Sequence, residues 1–308
     1  MVLCIIALPV FAILGIFSVK YRKLTLDSLD CIFRTVTFRK CRSSLDDRIK
    51  SYMAGKTLKV SPVLSGVIYK NYKLISWIIL IIFLWSIYGT SVGIYNYAQY
   101  GNCNGPSDTG FCMLDPTGQN TKTSEIEVDK QSKVIYAKLE GDDPIIGNKN
   151  AELTIIEFGC YACPYTKKAE PTVKEVLDYY KGKVNLQFKT FYIPHHNMSY
   201  RRALAANCAQ EQGKYIEYHN SLFENQEQLN EALLHELANN LGMNITKFDE
   251  CLLAEKYKNE VESDTLAGVH AGVAGTPTFF VNEQKIVGPK PLRTFKTIID
   301  EELKKPGK

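Results

Sequence analysis

The pattern of apolar and polar positions divides the chain into two apolar runs, a basic segment, a polar stretch and a globular region. The two apolar runs, residues 2–19 and 74–94, contain no charged residue. Each approaches the roughly 20 apolar residues that a helix needs to cross a bilayer. The pattern therefore predicts two transmembrane helices, at residues 1–19 and 74–97.

Beyond residue 132, short runs with strand character alternate with helical patterns. Their order is strand, strand, helix, strand, helical insertion, hairpin and helix. They are predicted at residues 134–137, 153–158, 167–180, 184–193, about 199–270, 278–288 and about 291–304. This order predicts one α/β domain at residues 133–308, with the helical insertion inside it.

Charge is distributed unevenly along the 308 residues, although the formal net charge is only +4. Residues 20–73 hold 13 Lys/Arg and 4 Asp/Glu, whereas the chain from residue 74 onward holds 24 and 29. Excess Lys/Arg in a short loop marks the cytoplasmic side of a membrane. Residues 20–73 are therefore predicted to be cytosolic, and both chain ends to lie outside the cytosol in a two-pass membrane protein.

This distribution also bears on partners and processing. The basic segment adjoins both apolar runs, so it is expected to contact lipid head groups, and nucleic-acid binding has little support. A cleaved signal peptide would need positive charge ahead of its apolar core, and the first charged residue here is Lys20, behind that core. The first run is therefore interpreted as an anchor.

Residues 98–132 are rich in turn-forming and polar residues, a composition typical of an exposed linker. Two cysteines, Cys103 and Cys112, lie in this segment. They are predicted to form a structural disulfide that closes a small loop, with free thiols as the alternative. The sequence thus predicts an extracytoplasmic tether between the second membrane helix and the α/β domain.

Cys160 and Cys163 stand where an apolar strand ends and a helical pattern begins. A thiol reacts as the thiolate, and the free N–H groups of a helix N-terminus stabilise that negative charge. The alternatives are two structural cysteines or half of a zinc site. A zinc site needs about four ligands, and no second Cys-x-x-Cys pair or spaced His pair follows. A redox dithiol without a metal is therefore favoured.

Six cysteines follow the second apolar run, an even number on the side of the membrane where disulfides persist. Cys208 and Cys251 both lie in helical patterns of the insertion. They are predicted to form an inter-helix disulfide, and two buried apolar cysteines are the alternative. His195 and His196 follow a predicted strand and are interpreted as solvated loop residues.

Five separated pieces of sequence carry a family resemblance. They are residues 143–147 (Asp-Pro-Ile-Ile-Gly), 156–158 (Ile-Glu-Phe), 163–165 (Cys-Pro-Tyr), 208–214 (Cys-Ala-Gln-Glu-Gln-Gly-Lys) and 275–277 (Gly-Thr-Pro). With the element order, they resemble the DsbA-like thiol–disulfide oxidoreductases, a thioredoxin fold with an inserted helical domain. The resemblance implies that Pro277 is a cis-proline facing the dithiol, and that the Thr276 backbone pairs with an extended substrate segment.

One position departs from the family pattern. The usual Cys-Pro-Tyr-Cys motif falls on residues 163–166, so Thr166 replaces the resolving cysteine and Pro164 starts the helix. In the favoured mechanism Cys163 is the nucleophile with a lowered pKa, and Cys160 resolves the mixed disulfide from the loop side. In the second mechanism the roles of the two cysteines are exchanged. In the third, Cys163 acts alone and Thr166 hydrogen-bonds its thiolate.

The sequence thus predicts a membrane-anchored, extracytoplasmic protein thiol–disulfide oxidoreductase that needs no cofactor. The resemblance implies the oxidising direction, with cysteine-containing exported proteins as clients and a membrane protein as redox partner. Two other functions stay open. One is a non-catalytic peptide-binding module in which Cys160 and Cys163 form a fixed disulfide. The other is a metal chaperone, for example for copper, which would use both thiols.

Overall fold

The computed structural model describes residues 14, 16–37, 51, 55, 57–58, 61–125 and 144–305. The chain forms two compact units, Met1–Val92 and Gly93–Lys308. Among the described residues, three helices precede the α/β domain: α1 (Val19–Val36), α2 (Pro62–Lys70) and α3 (Tyr72–Tyr100).

Helix α3 contains the stretch Trp77–Tyr100, which is long and apolar enough to cross a membrane by length and composition. It is the only such helix among the described residues. The first predicted membrane helix, residues 1–19, lies outside the described residues except for residues 14 and 16–19. The described part of the chain therefore contains one candidate for the two membrane helices that the sequence predicts.

The α/β domain begins with two short strands and ends with a helix. Its elements are β1 (Ser124–Glu125), β2 (Ile145–Gly147), β3 (Leu153–Gly159), α4 (Pro164–Tyr179), β4 (Val184–Thr190), α5 (Ser199–Gln210), α6 (Tyr215–Glu224), α7 (Glu231–Asn240), α8 (Ile245–Leu253), α9 (Lys258–His270), β5 (Gly275–Thr276), β6 (Thr278–Val281), β7 (Gln284–Val287) and α10 (Leu292–Leu303). The strand predicted at residues 134–137 lies outside the described residues.

Five of the described strands form the main sheet, in the order β2-β4-β3-β6-β7. Strands β3 and β4 are parallel, and the remaining neighbours are antiparallel. The register places Phe158, near the end of β3, opposite Thr278, at the start of β6. The residues that follow β3 therefore lie beside those that precede β6, and this brings the dithiol segment next to Pro277.

Strand β3 is buried on both of its faces. Successive side chains of a strand point to opposite sides of the sheet, and here both sides are covered. Ile155 packs on one side in a cluster with Val173 of α4 and Phe295 of α10. Phe158 packs on the other side in a cluster that includes both Cys160 and Cys163. The dithiol thus lies against the apolar core rather than on a solvated loop.

Helices α5 to α9 form the insertion and have an apolar core of their own. This core includes Leu204, Leu222 and Phe248, and it reaches the sheet through Phe188 of β4 and Tyr161 of the dithiol segment. Tyr161 is 1% exposed, with its ring centroid 5.1 Å from that of Phe188. The insertion therefore packs directly on the residues between the two cysteines.

Residues 101–125, which belong to the predicted tether, lie partly against the α/β domain, although many of their side chains are exposed. The side chains of Asn102 and Asp115 are buried, and β1 pairs with β5. The polar groups are satisfied inside the segment: Asp115 accepts hydrogen bonds from the N–H groups of Gln119 and Asn120 at 3.0 and 3.1 Å. Because these polar groups bond to one another, the segment can be buried without losing hydrogen bonds.

Candidate active site

The two cysteines flank the turn that joins β3 to α4. The Cys163 N–H donates to the Cys160 carbonyl at 2.9 Å, which closes the turn. Cys163 is the N-cap residue of α4 in an extended conformation (φ −85°, ψ 120°), and Pro164 occupies the first turn. A proline suits this position because its fixed φ is helical and its missing N–H would have had no helical partner. The Cys163 side chain is therefore held at the N-terminus of α4.

Gly159 permits the close packing at this turn. A Cβ at this position would lie 2.4 Å from the Phe188 ring and 3.1 Å from Thr166 Cγ2. These distances are shorter than ordinary van der Waals contacts, so a larger residue would displace the chain. Glycine therefore allows the end of β3 to approach β4 and the first turn of α4.

Cys163 faces the loop that precedes β6. Its Sγ donates to the Thr276 carbonyl at 3.3 Å, and the Thr276–Pro277 peptide bond is cis. On the same side, Ser124 Oγ of β1 lies 3.2 Å from Cys163 Sγ. The sulfur is free and fully buried under these neighbours. The structure thus brings together Cys163, Thr276 and Pro277.

Cys160 faces the first turn of α5 instead. Its Sγ lies 3.1 Å from Ser199 Oγ and 3.7 Å from His196 Nδ1. The Ser199 hydroxyl accepts from the Ile193 N–H at 2.9 Å, which leaves its own proton available to the sulfur. Burial raises the pKa of the Cys160 thiol, and the hydrogen bond from Ser199 opposes that rise. Cys160 is therefore held mainly as a neutral thiol at neutral pH.

The interpretation of His195 and His196 as solvated loop residues needs a correction for His196. His195 is exposed, but His196 is partly buried with its Nδ1 toward the Cys160 sulfur. Burial, followed by the charges of His195 and Arg202, lowers the pKa of His196. A neutral imidazole is the form that can accept a proton, so His196 can exchange one with the Cys160 thiol.

Two side chains of the insertion hold the backbone of the dithiol segment. Arg202 Nη1 donates to the Tyr161 carbonyl at 3.0 Å. Gln226 Nε2 donates to the carbonyls of Tyr161 and Cys163, at 3.0 and 2.9 Å. Buried carbonyls need such donors, because an unpaired buried polar group costs about 1–3 kcal/mol. Sequence reasoning missed Arg202, Gln226 and Ser199, and no local sequence signal marks them.

A buried carboxyl group lies on the strand that precedes the dithiol. Glu157 of β3 is fully buried, and neither carboxyl oxygen has a hydrogen-bond partner among the described residues. Burial, followed by the negative charges of Glu170 and Cys163, raises the pKa of Glu157 well above its usual value. Burial therefore favours the neutral form of the Glu157 carboxyl group.

Thr166, in the place of the family's resolving cysteine, is fully buried in the first turn of α4. Its hydroxyl accepts from the Cys160 N–H at 3.4 Å. This contact joins α4 to the end of β3 and involves the backbone rather than a thiolate. Thr166 thus positions the Cys160 backbone.

The remaining cysteines of the domain are bonded in pairs. Cys103 is joined to Cys112 at a sequence separation of 9, and Cys208 to Cys251 at a separation of 43. The second disulfide links α5 to α8. The described residues contain no group of three or more His, Cys, Asp or Glu side chains that could hold a metal ion.

Fold and site together define a class: an α/β domain with a dithiol at a helix N-terminus and a cis-proline opposite it is a thioredoxin-fold thiol–disulfide oxidoreductase. A family model described as Thioredoxin (Thioredoxin_4) matches residues 139–301, more than half of the chain. The chain belongs to this family, and with its helical insertion it is DsbA-like.

Two solved structures are similar to this chain, and the first has the same fold. Oxidised BdbD from Bacillus subtilis is 25% identical with a TM-score of 0.51, and the match covers 56% of this chain and 100% of that one. The thiol-disulfide exchange protein α-DsbA2 from Wolbachia pipientis is 22% identical with a TM-score of 0.48, covering 52% of this chain and 87% of that one.

Several curated relatives are longer proteins that are described as Na(+)/H(+) antiporters. The Na(+)/H(+) antiporter NhaA 3 of Salinispora tropica is 33% identical over 150 residues, which cover 48% of this chain and 22% of the antiporter. The chain thus spans less than a quarter of the length of this relative.

Proposed function

We propose that this protein is a membrane-anchored thiol–disulfide oxidoreductase that oxidises the cysteines of exported proteins outside the cytosol. The observation that carries this proposal is the pair of free cysteines at the N-terminus of α4, with Cys163 Sγ 3.3 Å from the carbonyl that precedes the cis-proline Pro277. In this arrangement Cys163 Sγ lies beside the backbone edge where a client peptide would bind, and the Cys160 thiol lies in the same turn.

The reaction begins with Cys160 and Cys163 joined as a disulfide. A client thiolate attacks Cys163 Sγ, forms a client–Cys163 disulfide and releases Cys160 as a thiolate, which takes up a proton. A second client thiolate then attacks the client sulfur of that bond. This step forms the client disulfide and releases Cys163 as a thiolate. The two electrons lost by the client are now held by the reduced pair.

Reoxidation completes the cycle. A membrane redox partner accepts the two electrons, and the Cys160 and Cys163 sulfurs form their disulfide again with loss of two protons. His196, 3.7 Å from the Cys160 sulfur, is the nearest described side chain that can take the proton of this thiol. Its lowered pKa favours the neutral imidazole that this role needs.

The environments of the two sulfurs support Cys163 as the sulfur that bonds to the client. Cys163 meets the backbone edge at Thr276, where an extended peptide can pair, whereas Cys160 is enclosed by Ser199 and His196 of the insertion side. Burial raises the pKa of Cys160, which disfavours its thiolate as the attacking group.

Three features support a membrane location with the domain outside the cytosol. The stretch Trp77–Tyr100 has the length and composition of a membrane span. The basic segment 20–73 precedes it, and excess Lys/Arg marks the cytoplasmic side. Beyond the span lie the disulfides Cys103–Cys112 and Cys208–Cys251, which persist in oxidising compartments.

The activity is tested by oxidative refolding of reduced ribonuclease and by insulin reduction. The full chain is compared with Cys163→Ser and with Cys31→Ser, a matched change in the basic segment. We expect activity in the wild type and Cys31→Ser, and none in Cys163→Ser. A redox potential of the pair above roughly −200 mV would support an oxidase, and one near roughly −270 mV a reductase. Equal rates for wild type and Cys163→Ser would contradict the proposal.

Topology needs a separate experiment in membranes. Alkaline phosphatase, which is active only outside the cytosol, is fused to the chain after Lys308 in one fusion protein and after Ser61 in another. We expect high phosphatase activity from the first fusion and low activity from the second. The opposite pattern would contradict the extracytoplasmic location of the domain.

A further inference from the structure

Strand β1 pairs with the backbone edge that faces Cys163. Ser124 lies opposite Thr276, and Glu125 lies opposite Gly275, in an antiparallel register. This edge immediately precedes Pro277, where the proposed function places the client peptide. The chain thus supplies an extended segment of its own at the position where a client strand is expected.

The side chain of Ser124 points to the reacting sulfur. Its Oγ lies 3.2 Å from Cys163 Sγ. The Oγ of serine and the Sγ of cysteine are both bonded to Cβ. Ser124 therefore lies where a client cysteine would meet Cys163. A hydroxyl cannot form a disulfide, and the contact is therefore non-covalent.

Glycine at position 275 allows this pairing to be close. A Cβ on Gly275 would lie 2.5 Å from the Ser124 carbonyl oxygen and 2.9 Å from Thr123 Oγ1. Any other residue would push residues 123–124 away from the edge. The β5 backbone is thus shaped for the segment that now lies on it.

The segment before β1 is attached to the domain at several points. Lys168 Nζ of α4 donates to the Gln119 carbonyl at 2.7 Å. The Val287 N–H of β7 donates to the Pro106 carbonyl at 3.0 Å. These bonds place residues 106–119 along the domain surface and guide the chain toward β5. The contact at Ser124 is therefore part of a longer docked segment.

Occupancy of the edge has a consequence for access. With β1 in place, Cys163 and Thr276 are both 0% exposed. A client cysteine must come within bonding distance of Cys163 Sγ to attack it. It cannot do so while Ser124 lies there, so the segment has to leave the edge before a client can react.

We propose that residues 123–125 are an internal ligand of the client-peptide site, with Ser124 in the position of the client cysteine. The segment competes with clients for the edge of β5 and keeps the dithiol covered until one displaces it. This inference rests on the proposed function, because it identifies the edge of β5 as the client site.

A disulfide trap tests the position of the segment. Ser124→Cys and Glu125→Cys are each made in the full chain that also carries Cys160→Ser, and both are oxidised with diamide, which accepts the two electrons and protons of the thiols. Peptide mapping by mass spectrometry detects a disulfide between the new cysteine and Cys163. Neighbouring strand residues point to opposite faces, so we expect at least about tenfold more crosslink from Ser124→Cys. Equal crosslinking, or none from Ser124→Cys, would overturn the inference.

A second experiment tests whether the segment blocks clients. Ser124→Pro removes a backbone N–H and disfavours pairing in β1, and Thr109→Pro is the matched control in an exposed part of the same segment. The rate at which Cys163 reacts with a cysteine peptide activated as a mixed disulfide is measured for both. We expect an increase of at least about fivefold for Ser124→Pro alone. An unchanged rate would overturn the inference.

The two proposals fail in different ways. The trap needs only proximity of residues 124 and 163 and no turnover, whereas the proposed function is read from ribonuclease refolding. A chain that refolds ribonuclease but forms no trap would overturn the internal-ligand inference alone. A chain that forms the trap but shows no oxidoreductase activity would overturn the proposed function, and the position of residues 123–125 at the β5 edge would stand without a client to compete with.

Discussion

The two sulfurs of the dithiol lie three residues apart and have different surroundings. Cys163 is at the N-terminus of α4 and contacts the backbone of β5 and the side chain of Ser124. Cys160 lies on the insertion side, against Ser199 and His196. One sulfur faces the backbone edge of β5, and the other faces side chains that can donate or accept protons.

In this chain the second cysteine lies three residues before Cys163 instead of three residues after it. The different surroundings are how the two cysteines can still take different roles. The usual resolving position is occupied by Thr166, and the second thiol comes from the loop before the helix. The insertion supplies Ser199 Oγ at 3.1 Å from that thiol. Each sulfur thus has its own set of partners, and substitutions can separate the two sets.

The largest effect is expected from removal of the client-facing sulfur. Cys163→Ser should reduce turnover in ribonuclease refolding by at least about 1000-fold, because Cys163 carries the only thiol at the β5 edge among the described residues. Refolding yield against time measures the effect. Circular dichroism of the variant should match the wild type, and retained turnover in a folded variant would contradict the assignment.

Removal of the second sulfur should have a smaller effect. Cys160→Ser is expected to reduce turnover by about 100-fold, because Cys163 can still form a mixed disulfide but no thiol of the pair resolves it. The rate of insulin reduction measures this loss. A Cys160→Ser variant with wild-type turnover would show that Cys163 acts alone.

The second cysteine can be returned to its usual position, residue 166. This tests whether the position of that thiol or its contacts with Ser199 and His196 matter more for turnover. Thr166→Cys in a chain with Cys160→Ser places the second thiol three residues after Cys163, on the adjacent turn of α4. We expect turnover within about tenfold of the wild type. A double variant no more active than Cys160→Ser would mean that the contacts of Cys160 with Ser199 and His196 are essential for resolution.

The smallest effect is expected from the hydroxyl beside Cys160. Ser199→Ala removes a hydrogen bond worth about 1 kcal/mol, which corresponds to about a fivefold slower resolution step. Burial already raises the pKa of Cys160 and Ser199 opposes that rise, so the variant should shift the pH dependence of resolution to higher pH.

The pH profile of mixed-disulfide resolution measures this shift. Ser221→Ala is the control, because its hydroxyl donates to the Glu217 carbonyl within α6, away from the dithiol. An unshifted profile in Ser199→Ala would mean that the 3.1 Å contact does not affect the thiolate of Cys160.

Local signals were sufficient to predict the centre of the fold. The apolar run of β3, the two cysteines and Pro164 mark a strand–turn–helix, and the thioredoxin-like α/β fold comes from the family resemblance of the separated motifs and the element order. The strand–turn–helix depends on residues that are close in sequence. Structure and family match agree with the predicted fold.

The partners of Cys160 could not be predicted, because they come from distant parts of the chain. Ser199 is 39 residues and His196 is 36 residues from Cys160. Serine and histidine in a loop carry no periodic pattern that places them against a given sulfur. Their contacts follow from how the insertion packs on β4, which depends on long-range packing.

The segment 101–125 shows what composition alone does not reveal. Turn-forming and polar residues indicate exposure when their hydrogen bonds go to water. Here the Asn102 side chain donates to the Asp108 carbonyl at 2.7 Å, and Asp115 accepts from two backbone N–H groups. Local polar bonds of this kind allow burial, and composition alone does not reveal them.

The central claim is that Cys163, and not Cys160, forms the bond to the client. It is tested most directly by incubating Cys160→Ser and Cys163→Ser with a peptide activated as a mixed disulfide, and locating the adduct by mass spectrometry. The account predicts a stable peptide adduct on Cys163 in the first variant and little adduct on Cys160 in the second. A stable adduct on Cys160 in Cys163→Ser, with none on Cys163 in Cys160→Ser, would contradict it.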